Sequence, residues 1–358
     1  SLILLLLAPW TLANENFYQQ GKLNLPIQVK ETAGVNVKNY PVSVVVPLVK
    51  GKYQDTAQFS VLDANGDVVP SQVEVVNRWW SDDKSLRHVK VYFSATVDAF
   101  TGDGTGISQF FLTDDGSVSQ APSLVVDDNP DFIEVNTGPL RFKVNKKRFN
   151  LLEQVWLDKN DDGLFGANEQ MLDADKARGG KFVGRIHEKT KDGNNIQFDS
   201  SRADVVVEVE ESGPQRVVIK AHANTLFKDT EDHQHGFAVR IYAYADQPFV
   251  KVDYQLQNSS KLTKFSWPLY FEAMQIDLPL KLDPTSIPEV IVGTDSTPAS
   301  IALDAGVELA QTTDRSYVVR DTQGGSVIAN GEQSTGFMDV RTETAGVTGI
   351  IRNFWQTW

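Results

Sequence analysis

The residues with the most specific potential chemistry lie between positions 158 and 169. This segment, DKNDDGLFGANE, matches the calcium-loop pattern D-x-[DN]-x-[DN]-G-x5-E at every constrained position. Loops of this kind bind Ca²⁺ through carboxylate, amide and main-chain carbonyl oxygens. The sequence therefore predicts a calcium site whose ligands are the side chains of Asp158, Asn160, Asp162 and Glu169 and the main-chain carbonyl of Leu164.

Two glycines complete the loop pattern. Gly163 stands at the sixth position, where calcium loops require a sharp turn. Gly166 stands at the ninth position and has no side chain, so a water molecule would supply that ligand. The alternative interpretation is a solvated acidic turn that binds no metal.

The flanking sequence favours a structural calcium loop over a calcium sensor. Sensors of the EF-hand type place the loop between two helices. Here residues 149–157 could form one short helix or one strand, and the segment that follows the loop ends at Gly179-Gly180. No second copy of the loop occurs in the chain, although EF-hands usually pair. We therefore expect one loop inserted between strands.

The histidines are the other candidates for metal binding or proton transfer. His233 and His235 alternate in sequence and follow Asp232, so they would share one face of a strand and could contact substrate or a metal. The alternative is a polar loop with two solvated histidines. His222 lies in an alternating run and His187 lies beside a glutamate, and both are expected to be hydrogen-bonded sheet residues.

Three further groups have side chains suited to an anionic sugar, and each has a structural alternative. Tyr242 and Tyr244 share one face of a strand and would either stack on sugar rings or pack between sheets. One of the adjacent Trp79 and Trp80 must point inward if both lie in a strand, which leaves the other as a possible sugar platform. A basic cluster either meets an anionic glycan or is a solvated turn, and comprises Lys143, Lys146, Lys147 and Arg148.

Several classes of function have no support in the sequence. The formal net charge of −13 disfavours nucleic acid as a partner, because phosphate contact needs a basic face. The chain has no cysteine, which excludes disulfides, thiolate catalysis and cysteine-based zinc sites. Phosphate-binding glycine loops, nucleophile elbows and H-E-x-x-H motifs are also absent. No catalytic residue is assigned.

The elements that would position these residues are β-strands. Short runs of β-branched and aromatic residues alternate with polar ones, as in 42–46, 88–93, 205–209 and 238–244. A length of 358 residues predicts two domains. A polar, proline-containing stretch within 113–130 marks the boundary, giving domains at 14–125 and 126–350. The expected fold is all-β, with the second domain a large antiparallel β-sandwich.

The amino-terminal residues predict export. Residues 2–8 are an apolar run that is too short to span a bilayer, which takes about 20 residues. The run leads to Thr11-Leu12-Ala13, a small-x-small tripeptide of the kind that signal peptidase cuts. Residues 1–13 are therefore interpreted as the remainder of a signal peptide, and the protein as periplasmic or extracellular. The alternative is a buried amino-terminal strand. No later run predicts membrane insertion.

Several stretches together resemble the rhamnogalacturonan exolyase and YetA-like family. Residues 78–89, RWWSDDKSLRHV, are similar to its W-x-D-G-S-x-x-W segment, with Lys84 where glycine is usual and His88 near the second tryptophan. The best matches are SGPQRVV at 212–218 and the segment from 240 to 252, and further similarity lies at 137–142 and 351–358.

The resemblance implies a fold and an activity. It implies an amino-terminal RIFT-type barrel, a central β-sandwich and a carboxy-terminal α/α toroid, of which residues 351–358 would be the start. It implies that the chain supplies non-catalytic supporting domains of a polysaccharide lyase, which cleaves an acidic, rhamnogalacturonan-like glycan by β-elimination. The alternative is a calcium-stabilised carbohydrate-binding or adhesive β-protein without enzymatic activity.

Overall fold

The protein is described by a computed structural model. The residues that it describes are 3–5, 18–19, 22–102, 104–117, 124–173, 181–189, 195–202, 204–230, 233–259, 271–295, 298–302 and 306–356. The chain divides into two compact units, residues 1–140 with 204–265 and residues 141–203 with 266–358. Each unit is described by itself.

Almost all regular structure in the described residues is β-strand. The strands up to residue 145 are β1 (Ile3–Leu5), β2 (Tyr18–Gln19), β3 (Lys22–Lys30), β4 (Val37–Pro47), β5 (Ser60–Asp63), β6 (Val68–Val69), β7 (Ser71–Arg78), β8 (Leu86–Val97), β9 (Ile107–Thr113), β10 (Val125–Asp128), β11 (Phe132–Asn136) and β12 (Leu140–Asn145).

The remaining strands are β13 (Gln154–Leu157), β14 (Lys181–Lys189), β15 (Asn195–Asp199), β16 (Val206–Ser212), β17 (Arg216–Thr230), β18 (His233–Tyr244), β19 (Val250–Asn258), β20 (Phe271–Asp277), β21 (Glu289–Val292), β22 (Ala299–Ala302), β23 (Val307–Thr313), β24 (Ser316–Asp321), β25 (Val327–Gly331), β26 (Phe337–Arg341) and β27 (Gly346–Ile350). The helical elements of the described chain are three single 3₁₀ turns, at Ala167–Glu169, Ser200–Arg202 and Phe354–Gln356.

Strand pairing confirms the predicted all-β, antiparallel fold class. Every described strand pair with an assigned register is antiparallel. The reason is visible in β3, where Leu23, Leu25, Ile27 and Val29 are buried and the residues between them are not. Period-two burial of this kind lets one face of a sheet enter the core while the other meets a polar environment.

The first unit contains two sheets that share one apolar core. One sheet has the order β1-β3-β9-β5-β6, with β2 also paired to β3, and the other has the order β4-β8-β7. Their apolar faces meet in a cluster that includes Ile27, Val44, Val91, Phe93 and Leu112. A RIFT-type barrel for this region stays a prediction.

A third sheet of the first unit, with the order β16-β17-β18-β19, carries most of the functional candidates. In its register Arg216 lies opposite Tyr244, and Tyr242 lies opposite both Val218 and Lys251. The side chains at these positions point to the same face of the sheet, because paired residues share a face. Tyr242 and Tyr244 are half-buried, and the residues on either side of each are fully buried. This burial pattern agrees with the prediction that the two tyrosines share one face of a strand.

The turn that connects β16 to β17 packs against Gln72 of β7 at a glycine. Gly213 donates its N–H to the carbonyl of Arg216 at 3.0 Å and closes the turn. A Cβ atom at Gly213 would lie 2.3 Å from the side chain of Gln72. A side chain at this position would displace the Gln72 amide, which contacts the main-chain N–H of Arg216 at the start of β17.

The second unit contains further antiparallel sheets and the loop at 158–169. Its sheets include β15-β14-β20, β22-β21-β26-β27 and β23-β24-β25. Val290, Val292, Tyr317 and Val319 form a buried apolar cluster. The loop follows β13 and leads into the 3₁₀ turn Ala167–Glu169, after which Gln170 forms a bridge with Trp156. The loop therefore connects β-structure, as expected for a structural site.

Some predictions fall largely on residues outside the described part of the chain. Within 1–13, only Ile3–Leu5 is described, and it pairs with β3 from Lys30 to Gln28. The tripeptide at 11–13 lies outside the described residues, so the signal peptide and export stay predictions. The boundary at residues 125 and 126 and the toroid after residue 350 also stay predictions. None of the helical elements in the described residues is long and apolar enough to cross a membrane.

Candidate functional site

A polar groove of the first unit has a volume of about 440 Å³. Residues of β4 and β8 line one side, and residues of β16, β17, β18 and β19 line the other. Four cationic side chains and three carboxylates face it, a local excess of one positive charge in a chain whose net charge is −13. The groove is therefore more cationic than the protein around it. The seven charged residues are Lys90, Arg216, Arg240, Lys251, Glu210, Glu211 and Asp253.

Arg216 lies at the centre of the groove and is 8% exposed. Its Nε atom donates to Glu211 at 2.8 Å, and a second guanidinium nitrogen of Arg216 also contacts this carboxylate. The guanidinium carbon lies 3.9 Å from the centre of the Tyr92 ring. Its main-chain N–H donates to the side-chain oxygen of Gln72 at 3.1 Å. Ion pairing, cation–π contact and the Gln72 amide thus hold one arginine in one orientation.

Glu74 and Glu211 are two carboxylates that share the charge of this arginine. Glu74 lies 3.6 Å from the guanidinium of Arg216, and Gln72 donates to Glu74 at 2.7 Å and to Glu211 at 3.1 Å. Burial raises the pKa of Glu74 to about 7, helped by a hydrogen bond with Glu211 and by repulsion from it. One cation is not enough to keep both carboxylates fully charged at neutral pH.

We expect Glu74→Gln to reduce the pH dependence of stability between pH 5 and pH 8. Because the pKa of Glu74 lies above its unfolded value of 4.5, the folded form retains a proton that the unfolded chain has lost. The contribution of this proton to the free energy of unfolding falls as the pH rises toward about 7. One pKa unit corresponds to about 1.4 kcal/mol. Since the Glu74 side chain is 30% exposed, solvent screening should reduce the effect to about 1 kcal/mol.

Thermal unfolding at pH 5 and pH 8 measures this effect. The wild type should lose about 2–4 °C more than Glu74→Gln between the two pH values. The matched control is Glu343→Gln, because Glu343 is an exposed glutamate of the second unit. Equal pH slopes for the wild type and Glu74→Gln would contradict the assignment.

The outer part of the groove is organised by two exposed ion pairs. Arg240 donates to both oxygens of Glu210 at 2.5 and 2.8 Å. Lys251 lies 2.9 Å from Asp253, and its ammonium also lies 4.8 Å from the centre of the Tyr242 ring. Burial, together with Asp253, raises the pKa of Tyr242 to about 12, so its hydroxyl remains a hydrogen-bond donor at neutral pH.

The predicted calcium loop has its acidic side chains bound to its own amides. Asp158 accepts from the N–H of Gly163 at 2.8 Å and from that of Asp162 at 3.2 Å, and Asp162 accepts from Leu164 at 2.8 Å. The amide of Asn160 donates to Asp162 at 2.9 Å. Gly163 has φ of 74°, which is the left-handed conformation expected at the sixth position.

Glu169 differs from the other loop carboxylates because it is only 8% exposed. It accepts hydrogen bonds from the N–H groups of Lys159 at 3.2 Å and Gly166 at 2.8 Å. No lysine or arginine among the described residues forms a salt bridge with it. Buried carboxylates are normally paired with a cation or bound to a metal. The donor set therefore fits Ca²⁺ in residue type and in its uncompensated charge.

The loop side chains do not converge on one point in the structure. Within the described ranges, no group of three or more Asp, Glu or His side chains could hold a metal ion as placed. The calcium site stays a prediction.

The histidines are distributed over several strands. His222 lies in β17, and its Nε2 atom is 3.9 Å from Glu208. The Nδ1 atom of His88 lies 2.7 Å from the side-chain oxygen of Asn77. His233 and His235 begin β18, but their side chains, like that of His187, lie outside the described part of the structure. Substrate contact by His233 and His235 stays a prediction.

The two adjacent tryptophans follow β7 in a turn. Trp79 donates to the carbonyl of Leu48 at 3.3 Å, and the guanidinium of Arg87 lies 4.9 Å from the centre of its ring. Trp80 is 86% exposed. One tryptophan is therefore half-buried and the other exposed, as predicted for a strand, but both residues lie in the turn after β7.

The basic cluster is engaged within the protein. Lys143, Lys146 and Lys147 each have an interaction partner. Lys143 also lies 5.9 Å from the centre of the Trp156 ring.

The groove contains functional candidates that sequence reasoning missed. Tyr242 and Tyr244 were detectable by their alternation, but Lys90, Arg216, Arg240 and Lys251 occur in ordinary alternating strands. Their shared signal is a cation at an outward-facing strand position, which is common in any half-exposed sheet. Only the register and packing of the strands bring them together.

The sheet that carries these residues lies within a recognised domain. Residues 124–264 match the PcRGLX-like protein central beta sandwich domain. The match confirms the family resemblance at the level of this sandwich, and it includes Arg216, Tyr242 and Lys251. The PcRGLX-like sandwich is related to rhamnogalacturonan lyases. No curated protein matches the chain.

Two solved structures are similar to this chain at low sequence identity. One is described as a protein in the glycosyl hydrolase family 38 from Enterococcus faecalis, with 9% identity, a TM-score of 0.46, and coverage of 92% of this chain and 41% of that protein. The other is an alpha-mannosidase from Enterococcus faecalis V583, with 10% identity, a TM-score of 0.38, and coverage of 91% and 39%. This chain thus spans about two fifths of each protein.

Proposed function

We propose that this chain provides supporting β-domains of an exported polysaccharide lyase that acts on an acidic, rhamnogalacturonan-like glycan. The observation that carries the proposal is the match of residues 124–264 to the PcRGLX-like sandwich. The groove on this sandwich supports it, since a cationic surface with tyrosine hydroxyls suits an anionic sugar chain.

The chemistry of the reaction explains why the chain is assigned a supporting role. β-Elimination from a uronate requires neutralisation of the carboxylate, a base for the C5 proton and an acid for the leaving oxygen. The cations of the groove could neutralise a carboxylate. However, Arg216 is always protonated, and the pKa of Tyr242 is raised to about 12, so neither is suited to accept a proton at neutral pH. Arg216 and Tyr242 are therefore not assigned as the base.

Calcium is the second part of the proposed function. Asp158, Asn160, Asp162, Glu169 and the carbonyl of Leu164 would hold the ion, which would supply positive charge beside the buried Glu169. Its role would be to make a strand connection rigid. Extracellular calcium concentrations suit even a moderate site of this kind, which is consistent with the proposed export.

Binding to an acidic polysaccharide tests the proposal directly. The chain should migrate more slowly in a native gel that contains rhamnogalacturonan, and a neutral mannan should have no such effect. The complete gene product should release unsaturated uronate, which is measured by its ultraviolet absorbance. Retardation without elimination by the complete product would favour the non-enzymatic carbohydrate-binding alternative. Absence of both effects on a panel of acidic glycans would refute the proposal.

A further inference from the structure

Lys90 differs from the other cations of the groove in having no carboxylate partner. Arg216, Arg240 and Lys251 each form an ion pair. Among the residues that the structure describes, Lys90 forms neither a salt bridge nor a hydrogen bond through its ammonium group. Its closest described contact is the Tyr92 ring, whose centre lies 4.9 Å from Nζ. The ammonium is thus half-buried and forms no ion pair with a described residue.

The surroundings of Lys90 explain why an anion would be attracted to it. Burial and the nearby charge of Arg216 lower the pKa of Lys90, whereas Glu74 and Glu211 act in the opposite direction through space. Glu211 is already bound to Arg216, and Glu74 is partly protonated near neutral pH because its pKa is about 7. An incoming carboxylate would therefore meet a cation that the protein does not neutralise.

The rest of the groove is suited to a sugar ring. Its volume of about 440 Å³ lies within the usual range of ligand pockets, roughly 300–1,000 Å³. Ser43 and Tyr242, two residues with hydroxyl groups, lie along its walls. At one end, Tyr244 lies 5.9 Å from Phe249, which in turn lies 6.1 Å from Tyr40 between ring centres. Tyr40 is 40% exposed and offers an aromatic surface next to the groove.

We propose that this groove binds a uronic acid residue of the glycan, with the Lys90 ammonium as the partner of the sugar carboxylate. This inference rests on the proposed function and adds a location and a charge-recognising residue to it. Arg216, Arg240 and Lys251 have a structural role in the groove, because each forms an ion pair with a carboxylate of the protein. Lys90 supplies the discrimination between a uronate and a neutral sugar.

Calorimetric titration with digalacturonate and with its methyl ester tests the proposal. Wild type should bind the acid about 10-fold or more tightly than the ester, since a hydrogen bond between charged groups is lost with the ester. Lys90→Met should weaken binding of the acid by a similar factor and leave binding of the ester unchanged. Lys90→Arg should retain the preference for the acid.

A control variant and three contradicting results complete the experiment. Lys38→Met removes an exposed lysine from β4 outside the groove and should bind as the wild type does. Equal affinity of wild type for the acid and the ester would overturn the site, even if Lys90→Met failed to fold. If wild type is retarded by rhamnogalacturonan and Lys90→Met binds digalacturonate equally well, the groove is excluded while the proposed function stands. If wild type is not retarded by any acidic glycan, the proposed function itself fails.

Discussion

Replacing Arg216 with methionine is expected to lower the free energy of unfolding by about 3–5 kcal/mol at pH 8. The substitution keeps much of the side-chain volume but removes the cation that pairs with Glu211 and lies 3.6 Å from Glu74. Two carboxylates would then remain close together in a partly buried position without a counter-charge. It also removes the stacking of the guanidinium on Tyr92. Chemical denaturation monitored by tryptophan fluorescence measures the loss.

The pH dependence separates this explanation from a simple loss of packing. At pH 5, Glu74 is protonated, because its pKa is about 7, so the repulsion left by Arg216→Met should be smaller than at pH 8. A loss that does not change between these pH values would indicate that packing alone is responsible. Arg315→Met is the matched control, since the Arg315 side chain is 81% exposed. Its effect should be within about 0.5 kcal/mol.

Calcium is expected to stabilise the protein by about 2.7 kcal/mol when its free concentration is 100 times the dissociation constant. The physical reason is the buried carboxylate of Glu169, which is 8% exposed and has no basic partner among the described residues. Binding to the folded loop alone shifts the unfolding equilibrium, because the unfolded chain does not gather the ligands. Unfolding in calcium and in a chelator gives the difference.

Two loop variants test whether the stabilisation comes from this site. Asp158→Asn removes a charged ligand at the first position and should abolish most of the gain. Asp161→Asn changes an acidic residue at a position that the calcium pattern does not constrain, and asparagine tolerates its φ of 58°. It should keep the gain. Equal gains in both variants would place the calcium elsewhere, and no gain in wild type would favour the solvated acidic turn.

The loop at residues 158–169 illustrates how much can be predicted from local sequence. The turn at Gly163 and the acceptor role of Asp158 depend on residues at most five positions apart. Spacing alone therefore predicts the backbone of the loop. It does not predict whether Asp162 and Glu169 face one another, because this depends on how the 3₁₀ turn Ala167–Glu169 packs in its unit.

The groove shows why the candidate site was harder to predict than the fold class. Alternation was enough to predict β18 and the common face of Tyr242 and Tyr244. The position of Lys251 opposite Tyr242 depends on the register between β18 and β19, which the pattern of either strand leaves open. The approach of Lys90 and Arg216 depends on contact between different sheets. Burial patterns report that a face is covered, but not by which residues.

The contact between Gln72 and Arg216 has a consequence for synthesis of the protein. The two residues are separated by 144 positions in the chain. At about 5–20 residues per second, roughly 7–29 s would pass between emergence of the two partners from the ribosome. During that interval Glu74 would lack the guanidinium of Arg216 as a counter-charge. Slowing translation across this interval is therefore expected to prolong a nascent form in which the sheet β4-β8-β7 is incomplete on one side.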